Sequence, residues 1–201
     1  MDIPVVILCG GKGTRVGQIS QEIPKPLLEV GGKPILWHVM KIYASQGYER
    51  FILCLGHKGS QIENYFRKHN SERWQINFVD TGLDTPKMRR LAKIRNLISE
   101  ENFFLAYGDD VADINLERLV KLHLKHNVIA TITAVKMASD FGIVEIGKNN
   151  RIARFKEKPR LDKWMNGGFM VMNRKIFNYL NAGELETDVF KKLVASHELT
   201  A

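Results

Sequence analysis

Val5-Val6-Ile7-Leu8-Cys9-Gly10-Gly11-Lys12-Gly13-Thr14-Arg15 stands almost at the start of a chain of 201 residues. Its first five residues carry no charge, and three of them are β-branched. That is the pattern of a strand buried on both faces. The strand gives way to three glycines in four positions, and an arginine follows. Glycine lacks a Cβ and tolerates positive φ, so backbone N–H groups in such a loop can close around a polyphosphate. A plain tight turn is the competing reading. The spacing of Gly10, Gly11, Gly13 and Gly17 fits neither G-x-x-x-x-G-K-[ST] nor G-x-G-x-x-G. Pro24-Lys25-Pro26 comes next, a lysine held between two residues that stiffen the backbone.

Outward from this stretch the pattern alternates. Strand character recurs at 50–55 (RFILCL), 75–80 (QINFVD), 102–107 (NFFLAY) and 128–135 (VIATITAV). Helical spacing lies between, at 35–46, 59–68, 87–98 and from 116, where Asn115 is placed to cap. Short strands are expected at 142–146, 151–155 and 169–172, with Asn149-Asn150 as a hairpin turn. Helices near 175–180 and 187–197 close the chain. Repeated β-α alternation predicts an α/β, Rossmann-like fold, a mixed but mainly parallel sheet flanked by helices. Ligands in such folds bind beyond the carboxyl ends of the strands. Three loops fall there: 10–15, 80–90 and 108–110.

Composition is that of a globular protein, with 44% hydrophobic and 26% charged residues. No apolar run approaches the roughly 20 residues of a membrane span, and the first residues lack the features of a signal peptide. The net charge of +8 comes from residues spread along the chain without interleaved aromatics, so nucleic acid is not expected as a partner. Cys9 and Cys54 have no metal-ligand spacing and read as buried, reduced thiols. A cytoplasmic protein without membrane partners is expected.

Gly108-Asp109-Asp110 places carboxylates at the end of a strand, near the glycine loop. Asp109 there can hold Mg2+; helix-capping acids in a turn are the competing reading. Lys158 precedes Pro159 and is expected to be extended. Gly167-Gly168 permits close backbone approach to a ligand.

Taken in order, Gly-Gly-x-Gly-Thr-Arg, Pro-Lys-Pro, Gly-Gly-Lys-Pro-Ile-Leu, Gly-Asp, Glu-Lys-Pro and Asn-Gly-Gly resemble the sugar-1-phosphate nucleotidyltransferase family over essentially the whole chain. The stretches GGKPILWHVMKIY, NFVDTG and AYGDDVADINL are most similar to its cytidylyl branch. The resemblance implies transfer from an NTP, CTP in that branch, to a sugar 1-phosphate such as α-D-glucose 1-phosphate. The products are CDP-glucose, used for cell-surface polysaccharide, and pyrophosphate. UTP- or dTTP-dependent transfer and a non-catalytic nucleotide-sugar-binding domain are the alternatives. By motif, Leu8, Cys9, Gly10 and Gly11 line base and ribose, while Gly13, Thr14 and Arg15 hold the triphosphate. Lys25 neutralises the α-phosphate. Thr85, Arg90 and Gly108 contact nucleotide, and Asp109 binds Mg2+. On the sugar-phosphate side the resemblance implies Gly142, Glu157, Lys158, Asn166, Gly167 and Gly168. It also implies a homo-oligomer.

The chain departs from the family pattern twice. Lys87-Met88-Arg89 stands where the cytidylyl branch has Thr-Gly-Gly. The family also continues with a segment bearing a second metal-binding aspartate, which has no match in residues 1–201. The expectation is therefore a single nucleotidyltransferase domain over 1–201, lacking that segment.

Overall fold

The computed structural model describes residues 2–12, 22–181 and 183–201. It divides into two compact units, Met1–Ile132 with Gly168–Ala201, and Thr133–Gly167.

The first unit is built on a sheet. The strands are β1 (Val5–Leu8), β2 (Glu29–Val30), β3 (Lys33–Pro34), β4 (Arg50–Leu55), β5 (Gln75–Asp80), β6 (Asn102–Tyr107), β7 (Ala130–Ala138), β8 (Ile143–Ile146), β9 (Ile152–Lys156), β10 (Arg160–Asn173) and β11 (Leu199–Thr200). Among the described residues, seven of them order as β11-β7-β10-β6-β1-β4-β5. β1 pairs in parallel with β4 and with β6, and β4 with β5. β10 runs antiparallel to β6. The sheet is thus mixed and mainly parallel, as the β-α alternation predicts.

Why these runs are continuously apolar follows from their packing. Val5 and Ile7 of β1 join one core with Phe51, Leu53, Phe104 and α1 (Ile35–Ala44). Val6 and Leu8 join the other, with Ile52, Cys54, Phe103 and Leu105. Side chains alternate across a strand, so a strand covered on both faces needs an apolar residue at every position. The first core is closed by α1, α2 (Gly59–Lys68) and α4 (Leu116–His126). The second is closed by α3 (Lys87–Lys93) and α5 (Phe190–Ala195). Asn115 caps α4 by accepting from the Arg118 N–H at 2.7 Å. Both cysteines are buried and free.

The Gly31-Gly32 pair serves the backbone. It turns β2 into β3 with φ of 60° and 77°, the mirror-type hairpin turn that glycine permits. Pro34 then caps α1.

Several boundaries differ from the sequence reading. β10 begins at Arg160, well before the expected 169; residues 160–168 set Leu161, Trp164 and Met165 among polar residues without strand alternation, so the sequence does not mark them as strand. The helix expected at 175–180 is a 3₁₀ turn over Arg174–Asn178. The one expected at 187–197 is α5 preceded by a wide π turn, Leu185–Val189. No described helix is long and apolar enough to cross a membrane.

The second unit holds an antiparallel hairpin, β8 against β9, with Val144 opposite Phe155 and Glu145 opposite Arg154. Its turn passes through Asn149 and Asn150 at φ of 55° and 56°, where the sequence predicts it. Every residue of β8 and β9 is exposed. Lys158 has φ +40°, not the extended form expected before proline. Pro159 excludes the right-handed helical region at this position, and the bend from β9 into β10 takes the left-handed one.

Candidate functional site

From β1 the chain moves to β4 and β5 on one side, then returns to place β6 on the other side of β1. The direction of winding reverses between β1 and β6, the point at which open α/β sheets leave a crevice at their carboxyl edge. A cavity of about 520 Å3 opens there. Its walls come from strand ends: Leu8–Gly11 after β1, Thr85–Lys87 after β5, and Tyr107–Asp110 after β6. Lys25 and Pro26, from the 3₁₀ turn Lys25–Leu27, and Glu184 complete it. Leu8, Cys9, Gly10, Gly11, Lys25, Thr85, Arg90, Gly108 and Asp109, singled out from the sequence, therefore meet at one cavity. Gly13, Thr14 and Arg15 lie outside the described residues.

The two described glycines of the loop do different things. Among the described residues, a Cβ on Gly11 would meet nothing within 4 Å. A Cβ on Gly10 would collide with the guanidinium of Arg90, and so would one on Gly56 at the end of β4. Arg90 is only 4% exposed. It donates from Nη2 to the carbonyls of Gly10 (2.9 Å) and Leu83 (3.0 Å). From Nη1 it donates to the Leu55 carbonyl (2.9 Å), Thr81 Oγ1 (2.7 Å) and the Gly82 carbonyl (2.7 Å). All five acceptors are neutral oxygens. Burial lowers the Arg90 pKa from its ordinary value, opposed by Cys54, Cys9, Asp80 and Asp84.

Across the cavity, Lys25 Nζ is ion-paired with Asp109 Oδ2. Asp110 stands beside them. Burial raises its carboxyl pKa, the charge of Asp109 raises it further, and Lys25 and Lys87 oppose both. Gly168 packs on Asp110: a side chain there would strike the Asp110 carboxylate, and φ is +82°. Sequence reading assigned Gly168 to the sugar side and ranked Asp110 behind Asp109 as a carboxylate for the metal.

The wall between Thr85 and Tyr107 was not legible as a unit. Lys87 pairs with Glu186 and lies 4.7 Å from the centre of the Tyr107 ring. The Tyr107 hydroxyl donates to the same carboxylate at 2.7 Å. Burial pushes the Tyr107 hydroxyl pKa far up, reinforced by the bond to Glu186. Burial would raise Glu186, but the bonds from Lys87 and Tyr107 outweigh it, and its pKa falls. Lys87 registers in the sequence only as a departure from Thr-Gly-Gly. Nothing local places Glu186 beside it.

The remaining sequence-picked residues, Gly142, Glu157, Lys158, Asn166 and Gly167, belong to the second unit. There a Cβ on Gly142 would lie 2.9 Å from Glu157 Oε2, so the absence of a side chain at 142 leaves room for that carboxylate. Gly167 likewise makes room for Thr133.

A strand-end cavity with a paired lysine and aspartate suits chemistry on phosphate. Residues 4–200 match the family described as nucleotidyl transferase. The chain belongs to this family. It is similar to a probable glucose-1-phosphate cytidylyltransferase of Bacillus subtilis, 43% identical over 195 residues, covering 87% of this chain and 76% of that protein. It is 34% identical over 221 residues to the glucose-1-phosphate cytidylyltransferase of Salmonella typhimurium, covering 98% and 86%. Among solved structures it resembles HddC from Yersinia pseudotuberculosis complexed with GMP-PN, with a TM-score of 0.74 and 26% identity over 94% of this chain and 86% of that one. As a sugar-1-phosphate nucleotidyltransferase, the protein moves a nucleotidyl group from an NTP to a sugar 1-phosphate.

Among the described residues no three His, Cys, Asp or Glu side chains cluster so as to hold a metal. Asp109 and Asp110 supply adjacent carboxylates; burial raises the Asp110 pKa, and the Asp109 charge adds to it. Mg2+ is commonly held by one or two carboxylates with substrate phosphates and waters. The nucleotidyltransferase site fits that mode and not an all-protein cage.

Proposed function

We propose that the NTP is CTP and the sugar 1-phosphate is α-D-glucose 1-phosphate, giving CDP-glucose and pyrophosphate. The observation that carries the nucleotidyl transfer is the cavity at the β1/β6 reversal, lined by both the Lys25–Asp109 pair and the Gly10–Gly11 backbone. Similarity to two glucose-1-phosphate cytidylyltransferases supports the choice of base and sugar.

In the reaction a phosphate oxygen of the sugar phosphate attacks the α-phosphorus. The bond from that phosphorus to the bridging oxygen breaks, and the electron pair leaves with pyrophosphate. No protein nucleophile takes part, so the chain contributes position and charge. The Gly10–Gly11 backbone borders base and ribose. Lys25 faces the α-phosphate, where charge builds as the new bond forms. Asp109, with Asp110 beside it, would hold Mg2+, which supplies neutralisation of polyphosphate charge when bound. Arg15 would meet the departing pyrophosphate, with Gly13 and Thr14. Glu157 would accept from sugar hydroxyls, Lys158 would hold the sugar phosphate, and Gly142 and Asn166 to Gly168 would border the sugar. The same assignment makes the protein a supplier of nucleotide sugar for cell-surface polysaccharide, working in the cytoplasm as a homo-oligomer.

A second reading changes only the base. Lys87-Met88-Arg89 in place of Thr-Gly-Gly alters the wall opposite the glycine loop, and the resembling HddC structure holds a guanine nucleotide analogue.

The test is pyrophosphate release with each of CTP, UTP, dTTP, GTP and ATP against glucose 1-phosphate and other sugar phosphates, with Mg2+. CTP with glucose 1-phosphate should give the highest kcat/KM. A faster reaction with another NTP would overturn the cytidylyl assignment.

A further inference from the structure

Arg90 is tied to three strand ends at once. Its guanidinium reaches Gly10 beyond β1, Leu55 at the end of β4, and Thr81, Gly82 and Leu83 beyond β5. Two glycines, Gly10 and Gly56, leave the room it occupies. Lys93 adds a bond from Nζ to the Thr81 carbonyl at 2.7 Å, and His57 N–H donates to the Gly10 carbonyl at 3.1 Å. Gly10 is therefore a glycine for the sake of an arginine, while a Cβ on Gly11 beside it would meet no described residue within 4 Å.

We propose that Arg90 is a positioning residue for the nucleotide. It holds the Gly10–Gly11 backbone, through the Gly10 carbonyl, in the one arrangement that presents Gly11 to the cavity. It acts on the NTP through that backbone and does not itself grip a phosphate. The geometry favours this because its Nη atoms are already engaged by five oxygens of the chain, which fix the planar fork in place. A lysine offers one compact donor group and cannot span acceptors on three segments.

This proposal rests on the reading that the cavity binds an NTP. Its test compares NTP affinity by calorimetry, kcat and KM, and thermal stability in Arg90→Lys, Arg90→Ala and Gly56→Ala. Gly56 is not among the residues lining the cavity; a methyl group there would press on the guanidinium and on the Gly10 carbonyl that it holds, 2.7 Å away. Gly56→Ala and Arg90→Lys should each raise the KM for NTP by about tenfold or more, with kcat at saturation changed by less than about threefold. Guanidinium chloride at about 10 mM should restore NTP affinity in Arg90→Ala, and ammonium should not, because only a planar fork reaches the vacated acceptors.

A direct phosphate ligand predicts otherwise. Arg90→Lys would then keep most of the affinity, guanidinium would rescue Arg90→Ala no better than ammonium, and the positioning role would fall. A merely structural role would lower the melting temperature and leave KM unchanged, which would also overturn it. If Gly56→Ala fails to fold, guanidinium rescue of Arg90→Ala decides alone, and absence of rescue overturns the proposal. An unmodified protein that binds no NTP would remove the proposed function, and this role with it.

Discussion

Lys25 and Asp109, 84 residues apart in sequence, form a direct ion pair on the wall of the strand-end cavity. Each side chain is about one-third exposed, so solvent screens the pair and its contribution to stability is small. Its value lies in placement: a cation and an anion stand together where a phosphate and a metal ion would part them. Lys25→Ala should therefore lower turnover by about 10²–10³-fold, the scale for losing one group aimed at developing charge. The melting temperature should stay within a few degrees. Pyrophosphate release and a thermal melt check the two halves of this prediction, and unchanged turnover would move the site elsewhere.

Asp109→Asn removes the charge and keeps the shape. The Mg2+ concentration giving half-maximal turnover should rise by at least about tenfold, since a neutral amide oxygen is a weaker ligand for a hard cation. The same variant should lose the thermal stabilisation that Mg2+ adds in the presence of NTP. A melt series with and without Mg2+ reads this without turnover.

Adjacent glycines should respond in opposite ways. Gly10→Ala forces a methyl group onto the Arg90 guanidinium and should cost about 1–3 kcal/mol, the range for overpacking. For a chain of this size that is a fall in melting temperature of roughly 3–10 °C. A Cβ at Gly11 would meet nothing within 4 Å among the described residues, so Gly11→Ala should melt within about 1 °C of the unmodified protein, yet its KM for NTP should rise. Equal melting temperatures for the two variants would contradict the packing described for Gly10.

His123 supplies a pH prediction away from the site. It is 2% exposed, with Nδ1 2.8 Å from Thr131 Oγ1 and Nε2 3.1 Å from Asn102 Oδ1, and Glu101 stands nearby. Burial lowers its pKa from 6.5 to about 4, only partly opposed by Glu101. As pH falls below 6.5 the unfolded chain takes up a proton that the folded chain refuses until about pH 4. Stability contributed by the neutral ring is thus present above pH 6.5 and is lost on the way down to pH 4, by at most about 3 kcal/mol. Urea unfolding at several pH values should show that slope, and His123→Gln should flatten it.

The parallel core was legible because β1, β4 and β6, covered on both faces, are nearly continuous apolar runs, while β5 at the edge alternates polar and apolar residues. Arg50–Leu55, Gln75–Asp80 and Asn102–Tyr107 fall where the residue types placed them, as does α2. Arg160 to Gly168 was not legible as strand because its pairing comes from neighbours distant in sequence. Lys158 was misread because a rule for proline met a bend that needed positive φ. In the site, the residues brought to one cavity could be picked from the sequence, since strand ends share a rim in this fold class. The work of Arg90 could not. It depends on three strand ends meeting at one point, and no local pattern records that an arginine at 90 fills the space above glycines at 10 and 56.

Cys9 and Cys54 sit on neighbouring strands, with the Cys9 N–H bonded to the Cys54 carbonyl at 3.1 Å. Burial pushes the Cys54 thiol up to about 12, and it raises Cys9 as well, with Cys54 adding to it. Neither is a nucleophile while the sheet is closed, because the thiolate is the reactive form. The chain therefore carries its own opening reporter. A thiol-reactive dye added to native protein should label at the rate at which β1 and β4 come apart, with no engineered probe. Cys9 lines the cavity and Cys54 does not, so a bound nucleotide should slow labelling of Cys9 more than that of Cys54.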